Sequence, residues 1–173
     1  MSTPLPLTED ENDALLDVQD ETNQFVTFYL NHQAFGIPVL KVHDILKIET
    51  QNKVPLAPKE VSGLINLRGR VVPSISMRRY LNLPELQGAE RSMSVVLEHN
   101  NDLYNFMVDK VSEVQTIPLK SIETVPPTLD PRWHSIASGV YRLNHELLVI
   151  LNIDQIFATM GKDVALSKED TKL

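Results

Sequence analysis

Residues 26–44 occur twice. Moved forward by 69 residues, Val26–Asp44 lies without a gap on Val95–Glu113: Asn31 falls on Asn100, Phe35 on Tyr104, Val39 on Val108, Lys41 on Lys110 and Val42 on Val111. A second block needs a shift of 76. Ser62-Gly63-Leu64 then falls on Ser138-Gly139-Val140, Leu67 on Leu143, Val71-Val72 on Leu147-Leu148 and Ile75 on Leu151. The offsets differ by seven residues, an insertion in the connection between the paired hairpins. Two alignments in the same order argue for a duplicated unit and restrict the fold to two similar halves.

Each half reads as paired hairpins. Phe25–Leu30 is rich in aromatic and β-branched residues, Asn31-His32-Gln33 breaks it, and Ala34–Val39 resumes until Pro38, which cannot donate to a ladder. Val39–Leu46 reads as a further strand. Pro58–Ser62 reads as one helical turn, Gly63–Leu67 and Arg70–Ile75 as strands around a turn at Arg68-Gly69, and Ser76 as the cap of a short helix to Leu81. One hairpin cannot bury its apolar face; five or so short strands must curl into a small barrel to do so. Runs such as Val95-Val96-Leu97 and Leu147–Leu151 are apolar on consecutive residues, as strands covered on both faces are. The expectation is a mainly β protein of two packed barrels with a groove between them. A short helix at Asn152–Met160 follows, with Ile153, Ile156 and Phe157 turned inward.

The charge is unevenly placed. Of 23 acids, seven (Glu9, Asp10, Glu11, Asp13, Asp17, Asp20, Glu21) lie in residues 1–24, which hold no Lys or Arg. The other 16 acids balance the 16 bases, so the body is formally neutral and lacks the basic excess of a nucleic-acid binder. Residues 1–23 therefore read as a disordered acidic leader, 24–160 as the folded domain (barrels of about 24–88 and 89–160, with exchange of strands between them open), and 161–173 as a polar tail. The leader also holds Ala14, Leu15, Leu16 and Val18, enough for one helical turn on a partner. It has neither the basic start nor the apolar core of a signal peptide, and no apolar run approaches the roughly 20 residues that cross a bilayer. A soluble, cytoplasmic protein is expected.

Chemistry is hard to find. The six glycines make no phosphate-cradling spacing, and the five histidines are never three or four apart. There is no cysteine, and no serine lies in a nucleophile-elbow pattern. No catalytic residue, metal site or cofactor is assigned. Two rivals from other classes are a hydrolase using Ser135 or Ser138 with His134, and an RNA finger built on Arg68 and Arg70.

Asn66-Leu67-Arg68-Gly69 followed by Val71-Val72-Pro73 resembles the signature of the CheW family of bacterial chemotaxis coupling proteins. Phe25–Leu30 with Phe35-Gly36-Ile37, Val39–Ile45, Val108–Val114 and Leu148–Asp154 are similar to four further segments, so the likeness spans about 24–158. It implies two five-stranded Src-homology-3-like barrels and no enzymatic activity. It also implies a scaffold linking the helical cytoplasmic tip of transmembrane chemoreceptors to the regulatory domain of a CheA-type histidine kinase, recruited to arrays at the inner face of the membrane but not inserted in it. A related adaptor of a twitching-motility or cyclic-nucleotide pathway is the alternative. The receptor groove implied by the resemblance is formed by Val42, Asp44, Arg68, Val111 and Val114, with an Asp44–Arg68 contact, and Asn66, Leu67 and Gly69 make the turn. Core packing is the competing reading for the three valines. Where the family often carries an acid, this chain has Ser76, and the proline-rich 115–135 connection matches too poorly to assign kinase contacts.

Overall fold

The computed structural model describes residues 21–47, 51–85 and 92–160. Most of the acidic leader and the tail from residue 161 lie outside the described residues. The described residues form ten strands: β1 (Thr22–Leu30), β2 (Gln33–Pro38), β3 (Val42–Leu46), β4 (Val61–Leu67), β5 (Arg70–Ser76), β6 (Met93–His99), β7 (Asp102–Val108), β8 (Lys110–Pro118), β9 (Ala137–Leu143) and β10 (Glu146–Leu151). They form two five-stranded sheets, in the orders β8-β1-β2-β10-β9 and β3-β6-β7-β5-β4. The protein is mainly β, as the duplicated hairpins require.

Each sheet takes strands from both halves of the chain. The first hairpin of each half, β1-β2 or β6-β7, joins the last three strands of the other half. Each exchanged hairpin is held on both sides, by β8 antiparallel to β1 and β10 parallel to β2 in one sheet, and by β3 antiparallel to β6 and β5 parallel to β7 in the other. A cut near residue 88 therefore separates halves of the chain, not sheets.

The consecutive apolar runs follow from a three-part core. Val95 and Leu97 face a large cluster shared by both sheets, while Val96 between them faces a cluster inside the second barrel with Ile65, Val72 and Leu103. In β10, Leu148 and Ile150 fill the first barrel beside Phe25, Ala34 and Ile117, while Val149 and Leu151 join the shared core. Each such side chain contributes roughly 1.5–3 kcal/mol when buried. Because the shared core draws on both sheets, neither sheet can detach without exposing it.

The repeated Ser-Gly pairs close the barrels. After β3 and after β8 the chain returns to pair with β4 and β9: Asn52 exchanges both backbone hydrogen bonds with Leu64 (2.8 and 2.7 Å), and Glu123 with Val140 (2.8 and 3.0 Å). At this crossing a Cβ on Gly63 would stand 2.6 Å from the Asn52 carbonyl oxygen, and one on Gly139 2.6 Å from Ile122 Cγ2. The serines match too: Ser62 Oγ donates to the Ser74 carbonyl and Ser138 Oγ to the Ile150 carbonyl, each at 3.3 Å.

Several local expectations need correcting. β1 begins at Thr22, inside the stretch read as leader, because Thr22 and Asn23 find partners in Pro118 and Ile117 at the far end of the long β8. Val39–Lys41 is a 3₁₀ turn rather than strand, following Pro38, whose ring cannot continue the β2 ladder. Pro58–Glu60 is a plain turn, closed by the Val61 N–H on the Pro58 carbonyl, and Val61 and Ser62 already belong to β4. A lone helical turn there has no further bonds to offset its nucleation cost. The Ser76 cap is present, its Oγ accepting from the Arg79 N–H at 3.3 Å ahead of a helical turn at Met77–Tyr80. Residues 153–160 are helical, with Ile153, Ile156 and Phe157 buried.

Candidate functional site

The tight hairpins turn on residues with left-handed backbones. Asn31 and His32, and Asn100 and Asn101, all have φ between 49° and 69°, and Asn144 has φ 53°. At the β4–β5 tip the same two places are held by Arg68 (φ 51°) and Gly69 (φ 85°). Paired positive φ values match the right-handed strand twist, and asparagine or glycine adopts them most readily. Arginine at the first place costs about 1 kcal/mol that asparagine largely avoids. The turn is held by the Gly69 N–H, which donates to Asn66 Oδ1 at 2.9 Å, and by Leu67, which packs on the second barrel's interior cluster.

Arg68 is 79% exposed, and its Nη2 stands 3.7 Å from Asp44 Oδ2, whose side chain is 28% exposed. That distance makes an ion pair without a direct hydrogen bond, worth about 0–1 kcal/mol at such exposure. Asp44 Oδ1 meanwhile accepts the Ile45 N–H at 2.9 Å. β3 and β4 are the two outer strands of their sheet, so the pair links β3 to the turn that follows β4.

The valines are placed by two equivalent bulges. Val111 lies opposite Phe28 and Val114 opposite Val26, with one extra residue between them on β8. Phe28 faces the shared core and Val26 lies two residues away on the same strand face, so both valines turn toward the seam between the barrels. On β3, Val42 lies opposite Leu97 and Ile45 opposite Val95, again across a bulge, and both partners belong to the shared core. Val42 and Val111 are half-buried at the rim of that core, whereas Val114 remains 51% exposed.

Ile45 is the residue that sequence reasoning missed. It is 37% exposed, faces the seam, and lies 69 residues before Val114, one residue past the aligned block that ends at Asp44, so extending that block by one residue would have found it. The structure thus brings Asp44 within 3.7 Å of Arg68 and turns Val42, Ile45, Val111 and Val114 toward one seam. Leu40, in the 3₁₀ turn before β3, is almost fully exposed.

A second ionic feature ties the barrels together. Arg78, 12% exposed, pairs with Asp109, 19% exposed, and Asp109 Oδ2 also accepts the N–H of Asn31 at the β1–β2 tip. Asp109 favours the charged guanidinium and holds the Arg78 pKa above its usual value.

Of the hydrolase alternative's residues, the Ser135 and Ser138 hydroxyls donate to the Arg132 and Ile150 carbonyls. Among the described residues no group of His, Asp and Glu has the arrangement of a metal site, and no helix is long and apolar enough to cross a membrane.

Residues 24–160 match the family model of the CheW-like domain. The chemotaxis protein CheW of Helicobacter pylori is 31% identical over 137 residues, covering 79% of this chain and 82% of that protein. The CheW of Treponema pallidum is 26% identical over 146 residues, covering 82% and 86%. The crystal structure of the scaffolding protein TtCheW from Thermoanaerobacter tengcongensis superposes with a TM-score of 0.72 at 26% identity, over 83% of this chain and 97% of that one. Fold, duplicated sequence and relatives agree: the chain belongs to the CheW-like family of chemotaxis adaptor proteins.

Proposed function

We propose that this protein is a non-enzymatic scaffold that couples transmembrane chemoreceptors to a CheA-type histidine kinase at the cytoplasmic face of the membrane. In this reading the receptor's helical tip lies along the seam between the barrels. Val42, Ile45, Val111 and Val114 supply apolar contact, and Arg68, backed by Asp44, supplies a charge that fixes register. Coupling is positional: holding the kinase's regulatory domain against the receptor lets a small receptor motion bias the kinase between two states.

The observation that carries this reading is the backbone at Arg68. An arginine occupies a left-handed turn position that asparagine fills in the other tight hairpins, and its side chain is exposed, within 3.7 Å of Asp44. A residue that is locally unfavourable and exposed fits a role in binding better than one in folding.

The test is co-sedimentation with receptor-containing membranes and a CheA-type kinase, comparing wild type with Arg68→Glu. Co-pelleting of the wild type that the substitution weakens supports the reading. Wild type that never pellets removes it.

A further inference from the structure

We propose that Glu113 is a second charged contact of the seam, taking a lysine or arginine of the receptor helix as Arg68 takes an acid, so that charge fixes which way the helix lies. This rests on the seam being the receptor site and names the partner chemistry that its second half selects.

The apolar part of the seam cannot by itself tell one helix direction from the other. Val42 and Val111 hold equivalent places, opposite Leu97 and Phe28, and Ile45 and Val114 do so opposite Val95 and Val26. Asp44 and Glu113, also 69 apart, come just before Ile45 and Val114 on the two bulged strands. The match ends at the turns. Moved by 76 residues, Arg68 falls on Asn144 and Arg70 on Glu146. Lys41 and Lys110 are equivalent as well. One half therefore has three bases and one acid at these places (Lys41, Asp44, Arg68, Arg70), and the other has one base and two acids (Lys110, Glu113, Glu146). The seam is symmetric in apolar contact and polar in charge.

The two carboxylates are also engaged differently. Asp44 Oδ2 stands 3.7 Å from Arg68, and its Oδ1 accepts the Ile45 N–H. Glu113 is exposed, and among the described residues its carboxylate makes no ion pair or hydrogen bond. Its backbone is pinned instead: the Thr27 hydroxyl donates to the Glu113 carbonyl at 2.5 Å, a bond that Val96, the counterpart of Thr27, cannot make. Lys110, the base nearest in sequence, lies over the Tyr29 ring, 5.9 Å from its centroid. Glu113 thus has no cation of its own, and Val111 and Val114 flank it in the chain. It suits a cation that arrives on a partner's apolar stripe, where docking excludes water and strengthens the pair. A helix that offers an acid to Arg68 then offers a base to Glu113. Laid the other way, it meets like charge at both places.

The test is co-sedimentation with receptor-containing membranes, counted over receptor-free membranes, for Glu113→Gln and Glu113→Lys. Glu98→Lys, at an exposed acid on β6 of the other sheet, is the control. Binding is expected to weaken roughly threefold in Glu113→Gln and roughly tenfold in Glu113→Lys, and to stay unchanged in the control. Rising salt should weaken wild-type binding more steeply than that of Glu113→Gln, which has one ion pair fewer to screen. Urea midpoints are expected to match the wild type, and a binding loss that tracks a lowered midpoint overturns the proposal as a loss of fold. Glu113→Gln that binds as wild type does, with the same salt dependence, also overturns it. So does a loss in Glu98→Lys equal to that in Glu113→Lys, which assigns the effect to overall charge. Failure of the receptor reading looks different: Arg68→Glu then pellets as wild type too, whereas a loss in Arg68→Glu with none in the Glu113 variants sinks this proposal alone.

Discussion

Arg78 grips Asp109 in a two-pronged ion pair, Nε to Oδ1 and Nη2 to Oδ2, each at 2.6 Å. The two residues are 31 apart in sequence and come from different places in the fold: Arg78 follows β5, while Asp109 sits where β7 of one sheet passes into β8 of the other. The Asn31 N–H on Asp109 Oδ2, at 2.9 Å, adds the β1–β2 hairpin. One carboxylate thus joins both barrels.

Removing one partner strands a largely buried charge. Arg78→Met is expected to lower unfolding free energy by about 3 kcal/mol in urea titration. Arg78→Met combined with Asp109→Leu is expected to recover much of that, because the stranded carboxylate is gone. Equal losses in the single and double variants would show that the pair's hydrogen bonds, not the uncompensated charge, dominate.

The two barrel-closing glycines should not be equally tolerant. A Cβ at Gly63 meets a backbone oxygen at 2.6 Å, which cannot move without breaking the Asn52–Leu64 bridge. At Gly139 the nearest atom, also at 2.6 Å, is the Cγ2 of Ile122, with the Glu123 carbonyl oxygen further away at 3.0 Å. Gly63→Ala should therefore cost about 2–3 kcal/mol and Gly139→Ala roughly half as much, since a side chain can give way. Thermal unfolding of the two variants side by side decides it, and the reverse order would refute the account of closure.

Arg68 allows stability and binding to be separated. Arg68→Asn relieves the left-handed strain and is expected to stabilise the protein by about 0.5–1 kcal/mol. The same substitution removes the guanidinium and should weaken co-sedimentation with receptor membranes. If both fall together, the arginine is a structural residue and the binding role is lost.

How much of this was legible in the sequence depends on which residues carried a repeat. The duplication exposed the hairpins and matched the two Ser-Gly pairs, but not the barrel closure those pairs make. It did not reveal the strand exchange, because β2 pairing with β10 is a choice of partner that leaves no mark on local pattern. Arg78 and Asp109 were equally silent: each has an ordinary local context, and their meeting depends on that same exchange. Asp44 and Arg68 became visible as a pair only through family resemblance, since nothing in their spacing fixes a contact between β3 and the β4–β5 tip. Ile45 was passed over because β3 contains a bulge, which spoils the alternation that marks a strand's face.

Asp130 caps the helical turn at Pro131–His134, accepting the Arg132 N–H at 2.9 Å and the Arg132 guanidinium at 2.7 Å. The Arg132 side chain, first of all, and its backbone N–H hold the Asp130 pKa down at about 2, against an ordinary 3.8. A carboxyl depressed by folding contributes stability that is present above its unfolded pKa and lost as pH falls through its folded one. The Asp130 contribution is therefore complete above about pH 4 and disappears toward pH 2. Arg132 also donates to the Leu81 and Asn82 carbonyls at 2.8 and 3.0 Å, so Arg132→Gln disturbs more than one contact and overall stability is a poor readout. The carboxyl carbon of Asp130, followed by NMR, is selective: its midpoint should rise from about 2 toward 3.8 in Arg132→Gln. A midpoint near 3.8 already in the wild type would mean that the Arg132 contact is not held in solution.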